Sequence, residues 1–388
     1  MHNYKLSIII PTKNRQYYCL YAVKQILTHG WNQVEICIQD NSDNNALESD
    51  IHKLGAENIV YNYHPGILSF VDNFSEAVSL AHGDYICMIG DDDGILPDIL
   101  SLVEDMERQT ADAAIPSLNF IYFWPSEKQI VKNSEKGMLV SHLYREHHIV
   151  DGKKVDNHNA VVKLLRNGVQ NYTDLDMPRL YHGIVRKDVL KRIKDTAGTY
   201  FGGLTPDMYM ATALSLVCQN VIRVDYSVTI SGICSISGSS DSATGKHTGE
   251  LSQAPHFRGH DNYKWDELIP AFYSVDTIWA DTLLHTLRDF NRVDLITQFN
   301  KSIFAGICLE KYPEYRNLIL KHFIGKGCTV NSIKWSLFKN KFDNLLNRVQ
   351  GRIKRAINNG IGTSTTKTYE IPNIIDVDRI ISELKESK

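Results

Sequence analysis

The stretch NFSEAVSLAHGDYICMIGDDDGILPDIL, residues 73–100, decides the fold of this chain. Its first part spaces apolar side chains as on an amphipathic helix, which we expect to end at Gly83. Residues 85–89 then form a short apolar run that predicts a buried strand. The acidic cluster Asp91–Asp93 follows, and Pro97 stands near the start of another helix, where its missing N–H is harmless. This order is typical of a parallel α/β sheet.

The chain before this stretch repeats the same alternation. Continuous or β-branched apolar runs predict strands at 6–10, 34–38 and 59–63, and helical spacing predicts helices at 15–28 and 46–54. Four strands separated by helices imply a mainly parallel sheet with right-handed crossovers. The predicted fold class is therefore α/β, a Rossmann-like sheet flanked by helices.

The pattern becomes weaker after residue 112. The polar stretch 126–159 predicts a loop, and the Ser/Gly/Thr-rich stretch 231–250 predicts a mobile loop. The remaining predictions are helices at 160–166, 187–193 and 207–218, a strand at 221–230, mainly helices from 266 onward, and a polar linker at 358–367. We therefore expect one domain at 1–250 and a helical domain at 251–388. The family resemblance given below implies that the first is catalytic, with a donor half at 1–120 and an acceptor half at 121–250.

Composition limits the classes of function. A formal net charge of −3 over 388 residues gives no basic field for nucleic acid. Seven scattered cysteines without a C-x-x-C pair favour reduced thiols, so we expect a cytoplasmic protein. No stretch approaches the roughly 18 apolar residues of a membrane span. The expected location is the cytoplasm or the inner face of the cell membrane.

The acidic cluster Asp91–Asp93 is a candidate metal site. It follows a buried strand at the edge where open α/β sheets bind ligands. Three adjacent carboxylates repel one another, and a cation among them relieves that repulsion. Mg²⁺ and Mn²⁺ favour such oxygen ligands and would bridge a diphosphate leaving group. The alternative interpretation is a solvated acidic turn.

Three ordered motifs carry a family resemblance: LSIIIPTKNR (6–15), EICIQDNSD (35–43) and the 73–100 stretch. Together they resemble the family 2 glycosyltransferases over about residues 5–120, and more loosely to about 235. The resemblance implies a GT-A fold, a nucleoside-diphosphate-sugar donor, inversion at the anomeric carbon, and bound Mn²⁺ or Mg²⁺.

The resemblance also assigns roles to matching positions. The loop that borders the nucleotide corresponds to Pro11, Thr12, Asn14 and Arg15. Asp40 matches the acid that contacts the base, with Asn41 and Ser42 after it, and a carboxylate there can accept an N–H of uracil or guanine. Asn73 matches a helix residue that faces the donor. A UDP-sugar is the favoured donor.

The D-x-D region of the family corresponds to Asp91, Asp92 and Asp93. The usual first acid is replaced by Gly90, so the pair that forms the strict motif is ambiguous. The sequence predicts Asp93 as the main metal ligand, with Asp91 as a second ligand. Asp91 or Asp92 is expected near the ribose or the sugar.

An inverting transfer needs a base for the acceptor hydroxyl, and Asp207 is the candidate. It opens a predicted helix and resembles the late acidic motif of the family, but Pro206 replaces the first acid. The alternative is an Asp favoured by the helix dipole. Back-up bases are Asp174 and Asp176. Phosphate or metal contacts are assigned to His182 and His247 with a structural role as the alternative, and diphosphate contacts to Lys246 or Arg258.

Residues 333–357 place an apolar stripe beside seven Lys and Arg residues and one acidic residue, Asp343. A basic amphipathic helix of this kind suits an anionic membrane surface. The alternative is a helix that packs its stripe on the catalytic domain.

The leading hypothesis is a metal-dependent inverting glycosyltransferase that extends a glycan or a lipid-linked oligosaccharide in cell-surface polysaccharide synthesis. A sugar nucleotidyltransferase is an alternative, although PTKNRQ lacks the glycines of that class. The other alternative is a non-catalytic module that binds nucleotide sugar or glycan. Peripheral membrane contact and homo-oligomer formation are left open.

Overall fold

The architecture is built around an eight-stranded mixed sheet. The computed structural model describes residues 4–126, 136–143, 151–236, 248–251, 254–260, 263–339, 341–342, 346 and 365–386. The strands in spatial order are β3 (Ile59–Tyr63), β2 (Val34–Asp40), β1 (Leu6–Thr12), β4 (Tyr85–Met88), β10 (Ile184–Arg186), β6 (Ala113–Ile115), β11 (Val221–Arg223) and β9 (Lys153–Lys154). The predicted α/β class is confirmed.

The four strands predicted in the first part of the chain are confirmed, and they pair in parallel. Strands β1 and β2 are buried along their whole length, as expected for apolar runs covered on both faces. The order β3-β2-β1-β4 changes direction between β1 and β4. Open α/β sheets bind ligands at such a switch point, outside the carboxyl ends of the strands.

Helices cover both faces of this sheet. Their bounds are α1 (Gln16–Leu27), α2 (Ala46–His52), α3 (Phe70–Ser79), α4 (Ile99–Arg108), α5 (Asn157–Arg166), α6 (Lys187–Ala197) and α7 (Pro206–Val217). Ile8 and Ile10 of β1 join the core under α1, α2 and α4. Ile9 points to the opposite face and joins the core under α3, α6 and α7. The period of two along a strand thus supplies both cores.

A second sheet lies beside the acidic cluster. Its order is β15 (Thr365–Glu370), β8 (Met138–Leu143), β7 (Phe120–Phe123), β12 (Thr229–Ile233) and β5 (Gly94–Ile95). The prediction of a loop at 126–159 is wrong for the residues that form β8 and β9. The prediction of a linker at 358–367 is wrong from residue 365, where β15 begins. The predicted strand 221–230 is two strands, β11 and β12. These strands are short and depend on pairing partners distant in the chain.

The later part of the chain is mainly helical, as predicted. Its helices are α8 (Val275–Asp289), α9 (Val293–Ile296), α10 (Lys301–Lys311), α11 (Arg316–Phe323), α12 (330–339) and α13 (Val377–Glu386). A small sheet pairs β13 (Thr248–Gly249) with β14 (Tyr273–Ser274). Most of these helices share a core with α5 and α7. In contrast, α13 and β15 pack with the second sheet, so the boundary at 250 stays a prediction.

None of the helices in the described ranges is long and apolar enough to cross a membrane. All seven cysteines are buried free thiols.

Candidate functional site

The candidate site lies where β1, β2 and β4 end. Thr12 and Asp40 are register partners at the ends of β1 and β2. Thr12 Oγ1 donates to Asp91 Oδ2 over 2.6 Å, and Asn73 Nδ2 of α3 lies 3.4 Å from the carbonyl oxygen of Thr12. Four residues that the resemblance assigns to the donor therefore meet at the switch point of the sheet.

Arg15 is the counter-ion of the acidic cluster. Its Nε donates to Asp91 Oδ2 over 3.0 Å, a second guanidinium nitrogen contacts Asp91 Oδ1, and a third lies 3.7 Å from Asp92 Oδ1. Burial lowers the pKa of Arg15, but Asp91 and Asp92 raise it by more, so the guanidinium is charged. Arg15 faces the carboxylates rather than open solvent, since its side chain is only 22% exposed.

Asp91 and Asp92 are both buried but differ in their partners. Burial raises the pKa of Asp91, while Arg15 and Thr12 act in the opposite direction. Asp92 Oδ2 accepts from the backbone N–H of Cys234 over 3.1 Å. Burial raises the pKa of Asp92 to about 7, and Arg15 opposes this shift. Asp92 Oδ1 lies 3.7 Å from Arg15, so Asp92 contacts the guanidinium less closely than Asp91 does.

Hydrogen bonds to Asp93 hold the acidic loop, Asp91–Asp93, against neighbouring residues. Its Oδ2 accepts from the backbone N–H of Gly90 over 2.7 Å and from the hydroxyl of Tyr181 over 2.8 Å. Its Oδ1 accepts from the backbone N–H of Gly232 over 2.6 Å. His182 Nε2 lies 3.3 Å from Oδ2, and its Nδ1 lies 2.9 Å from Thr229 Oγ1. Protein donors thus engage both oxygens of Asp93.

The residues do not fit a divalent cation in this arrangement. Asp93, predicted as the main ligand, offers no oxygen free of protein donors, and Asp91 is held by Arg15 and Thr12. Within the described part of the chain, no group of three or more His, Cys, Asp or Glu residues is arranged for a metal ion. Asp92 Oδ1 lies 3.7 Å from the Arg15 guanidinium, and Asp92 Oδ2 accepts from Cys234.

The loops after β1 and β2 are joined by polar side chains. Asn14, which has a left-handed φ of 56°, donates its backbone N–H to Ser42 Oγ over 2.8 Å and its side-chain amide to Asp43 over 3.1 Å. Asn41 Nδ2 donates to the carbonyl oxygens of His64 and Gly66 over 3.0 and 2.7 Å. Asn14 and Asn41 therefore hold together the loops that follow β1 and β2, next to Pro11 near the end of β1.

Two buried groups remain suited to a ligand. Asp40 accepts from the backbone N–H of Ser42 over 2.8 Å and from the hydroxyl of Tyr61 over 2.9 Å, one on each oxygen. Each carboxylate oxygen can accept more than one hydrogen bond. Asn73 is 7% exposed, and its Oδ1 has no hydrogen-bond partner among the described residues. A buried acceptor without a donor is unfavourable unless a ligand or water supplies one.

Asp207 lies in the first turn of α7, after Thr205 and Pro206. Burial raises its pKa, and its own backbone N–H opposes the shift. The charge of Asp207 contributes to the raised pKa of Tyr181, which donates to Asp93. Burial is the largest cause of the raised pKa of Tyr181, and Asp93 contributes more to it than Asp207 does.

The secondary candidates take other positions. Asp176 accepts from Arg223 over 2.8 Å, and Asp174 is exposed. Arg258 donates to the carbonyl oxygen of Leu68 over 2.9 Å. His247 and Lys246 lie outside the described residues.

Sequence reasoning missed several residues that hold the acidic loop. Trp124 Nε1 donates to the carbonyl oxygen of Asp92 over 2.8 Å, and Tyr181 and Gly232 donate to Asp93. No local signal marks them, because each comes from a strand or loop far from the cluster in the chain. The exception is the Tyr181-His182-Gly183 sequence, a polar and aromatic group directly before the apolar pair Ile184-Val185.

Removing Arg15 tests its role as the counter-ion. We expect Arg15→Ala to lower the free energy of unfolding by about 3 kcal/mol, because it leaves Asp91 and Asp92 buried without their cation. The matched control is Arg379→Ala, which breaks an exposed i,i+4 pair with Glu383 and should change stability by about 0.5 kcal/mol or less. Denaturant unfolding measures both, and equal effects would contradict the assignment.

Part of the chain matches the model of a known protein family. Residues 7–163 match the model of glycosyl transferase family 2. The resemblance predicted from the three motifs is confirmed over this segment, which we call the family 2 segment. It contains most of β1, strands β2 to β9 and the whole acidic cluster.

Two named relatives resemble part of this chain. The abequosyltransferase RfbV of Salmonella typhimurium (strain LT2) is 32% identical over 117 residues, covering 28% of this chain and 34% of RfbV. CgeD of Bacillus subtilis (strain 168) is 26% identical over 196 residues, covering 46% of this chain and 44% of CgeD. The chain thus spans less than half the length of either relative.

Solved structures show weaker likeness. S. aureus TarS 1–349 in complex with UDP-GlcNAc has a TM-score of 0.46 and 14% identity, covering 82% of this chain and 79% of that chain. The mannosyltransferase PcManGT from Pyrobaculum calidifontis, in complex with GDP-Man and Mn²⁺, has a TM-score of 0.40 and 12% identity, covering 89% and 88%.

Proposed function

We propose that this protein transfers a sugar from a nucleoside-diphosphate sugar to a hydroxyl group of a glycan or lipid-linked oligosaccharide, with inversion at the anomeric carbon. The observation that carries the proposal is the meeting of Thr12, Asp40, Asn73 and Asp91 at the switch point of the sheet. The match of residues 7–163 to the model of glycosyl transferase family 2 supports sugar transfer as the class of reaction.

The nucleotide binds beside Asp40 and Asn73 in this proposal. Asp40 accepts an N–H of the base in addition to its hydrogen bonds from Ser42 and Tyr61. The Oδ1 atom of Asn73, which lacks a donor among the described residues, accepts an N–H or O–H of the donor. A uracil imide fits a carboxylate acceptor, so a UDP-sugar is the favoured donor.

Asp207 acts as the general base. It takes the proton of the acceptor hydroxyl while that oxygen forms a bond to the anomeric carbon. The bond from this carbon to the diphosphate oxygen breaks, and the diphosphate leaves with the electron pair. Because burial raises the pKa of Asp207, the carboxylate is a better proton acceptor than an exposed one.

The dependence on Mn²⁺ or Mg²⁺ stays a prediction. Asp91 and Asp93, the carboxylates predicted to hold such an ion, are engaged by Arg15, Thr12 and other protein donors. In the described arrangement the charge of Asp91 and Asp92 is balanced by Arg15, and none of the roles proposed above for Asp40, Asn73 and Asp207 requires a metal.

Titration calorimetry of UDP, GDP, dTDP and CMP, each with and without Mn²⁺, tests the donor site. We expect one nucleotide to bind and Asp40→Asn to weaken it about tenfold or more, because a charge-assisted hydrogen bond to the base is lost. The control is Asp84→Asn, an exposed aspartate before β4. If no nucleotide binds under either condition, the donor site is wrongly assigned.

A non-catalytic module that binds nucleotide sugar is the second candidate function. Pro206 stands where the family motif usually has an acid directly before the position of Asp207. Such a module would bind nucleotide without turnover, and replacing Asp207 would leave its nucleotide binding unaffected.

The acceptor and the location belong to the same proposal. A lipid-linked oligosaccharide for cell-surface polysaccharide would be presented at the inner face of the cell membrane, and the enzyme would then work as a peripheral protein.

A further inference from the structure

The rotation of helix α12 is fixed by its contacts with α10. Ile333 is 1% exposed and belongs to the core of the helical region. Leu337 Cβ lies 3.3 Å from the position that a Cβ on Gly306 of α10 would occupy. Ser302 of α10 donates its hydroxyl to Ser332 over 3.1 Å. One face of α12 is therefore committed to the core.

The opposite face of α12, together with the helical residues 342 and 346 that follow it, carries large apolar side chains that are more than 40% exposed. We call the set of Trp335, Phe338, Phe342 and Leu346 the aromatic stripe; these side chains are 67%, 61%, 51% and 41% exposed. Their spacing of three, four and four residues places them on one side of a helix. Contiguous exposed apolar surface of this kind marks an interaction site.

The rings of the aromatic stripe contact one another. The ring centroids of Trp335 and Phe338 are 5.9 Å apart, and those of Phe338 and Phe342 are 6.4 Å apart, in both cases stacked. The stripe is a continuous apolar ridge, and it is separate from the packing face formed by Ile333 and Leu337. The alternative of a stripe packed on the protein does not hold for Trp335, Phe338 and Phe342, which are exposed; the residues from 347 to 357 lie outside the described part of the chain.

Basic side chains flank the aromatic stripe. Lys334 and Lys339 are exposed, and helical geometry places them on opposite sides of it. Lys341 pairs with Glu310 of α10 over 3.2 Å, which adds to the attachment of the helix. Residues 333–357 hold seven Lys and Arg residues against Asp343. The surface that receives the stripe should therefore be negatively charged.

We propose that the aromatic stripe docks on an anionic membrane surface. Aromatic side chains enter the interface between headgroups and acyl chains, while flanking lysines reach the anionic headgroups. A second copy of this chain fits less well, because Lys334 and Lys339 beside the aromatic stripe would repel the same lysines of the other copy. The inference deepens the proposed function, on which it rests for the nature of the acceptor, since a lipid-linked acceptor is presented at the same surface.

Sedimentation of the full chain with vesicles tests the proposal. We expect binding to phosphatidylcholine vesicles that contain phosphatidylglycerol and much weaker binding to pure phosphatidylcholine. The double variant Trp335→Ser/Phe338→Ser should bind the anionic vesicles about tenfold or more weakly, because two side chains no longer enter the interface. The control is Val293→Ser, an apolar side chain that is 56% exposed on α9.

A second pair of variants tests the charge. Lys334→Gln and Lys339→Gln should each weaken binding about fivefold, as expected for one lysine near an anionic surface, and added salt should reduce the difference. Lys53→Gln, an exposed lysine of another surface, is the control and should bind as the wild type does.

Three results would overturn the proposal. The first is that the wild-type chain stays in the supernatant with anionic vesicles. The second is that the Trp335→Ser/Phe338→Ser variant binds as tightly as wild type. The third is lipid-independent self-association in the ultracentrifuge that this variant abolishes, which would assign the stripe to a second copy. Nucleotide calorimetry on the same variants keeps the two proposals separate, since the stripe lies outside the donor site.

Discussion

Replacing Asp207 by Asn is expected to lower kcat by about 10²- to 10⁴-fold, because the acceptor hydroxyl loses its general base. Nucleotide binding should remain, since the described partners of Thr12, Asp40 and Asn73 do not include Asp207. Asparagine keeps the size of the side chain and its place in the first turn of α7. A radioactive sugar-transfer assay and calorimetry measure the two quantities on one preparation.

The pH profile gives an independent readout of the same residue. Burial raises the pKa of Asp207, and the base must be ionised to accept a proton. The kcat of the wild type should therefore increase as the pH rises through this raised pKa and be lost below it. In Asp207→Asn the residual rate should lack this limb.

Asp188→Asn is the matched control for Asp207. Asp188 also lies in the first turn of a helix, α6, and pairs with Arg186 at the surface. Its replacement should leave kcat and its pH profile unchanged. A wild-type chain that binds nucleotide without turnover, or an Asp207→Asn variant with full kcat, would favour the non-catalytic module.

Gly232→Ala is expected to disrupt the acidic loop. A Cβ on Gly232 would lie 1.7 Å from the carbonyl oxygen of Asp92, so either β12 or the loop must move. The same movement would break the hydrogen bond from the Gly232 N–H to Asp93. We expect stability to fall by about 1–3 kcal/mol or more and nucleotide binding to be lost.

Gly249→Ala is the control for this steric argument. Gly249 also lies in a short strand, β13, and a Cβ there would meet nothing within 4 Å. Thermal unfolding and nucleotide calorimetry should show wild-type behaviour for Gly249→Ala and large losses for Gly232→Ala. A Gly232→Ala variant that binds nucleotide normally would contradict the described position of the acidic loop.

The sequence predicted the parts of the fold that local patterns determine. Strands β1 to β4 and helices α1 to α4 follow from apolar runs and helical spacing within a few residues. The acidic cluster could be located as well, because it directly follows an apolar run and because parallel strands place their carboxyl ends at one edge.

The internal chemistry of the site could not be predicted in this way. The ion pair of Arg15 with Asp91 joins residues 76 positions apart, and it depends on where α1 begins relative to β4. The contact of Tyr181 with Asp93 depends on the isolated parallel bridge that pairs Tyr181 with Met88, the last residue of β4. Pairing partners that lie far apart in the chain leave no periodic signal near either residue.

The pairing of β8 with β15 has a consequence for the synthesis of the protein. Residues 138–143 receive their outer neighbour from residues 365–370. At a translation rate of about 5–20 residues per second, β15 is made roughly 10 to 45 s after β8. During that interval the edge of β8 is open to pairing with other chains. Slow translation should therefore increase the aggregation of nascent chains, although the finished protein is the same.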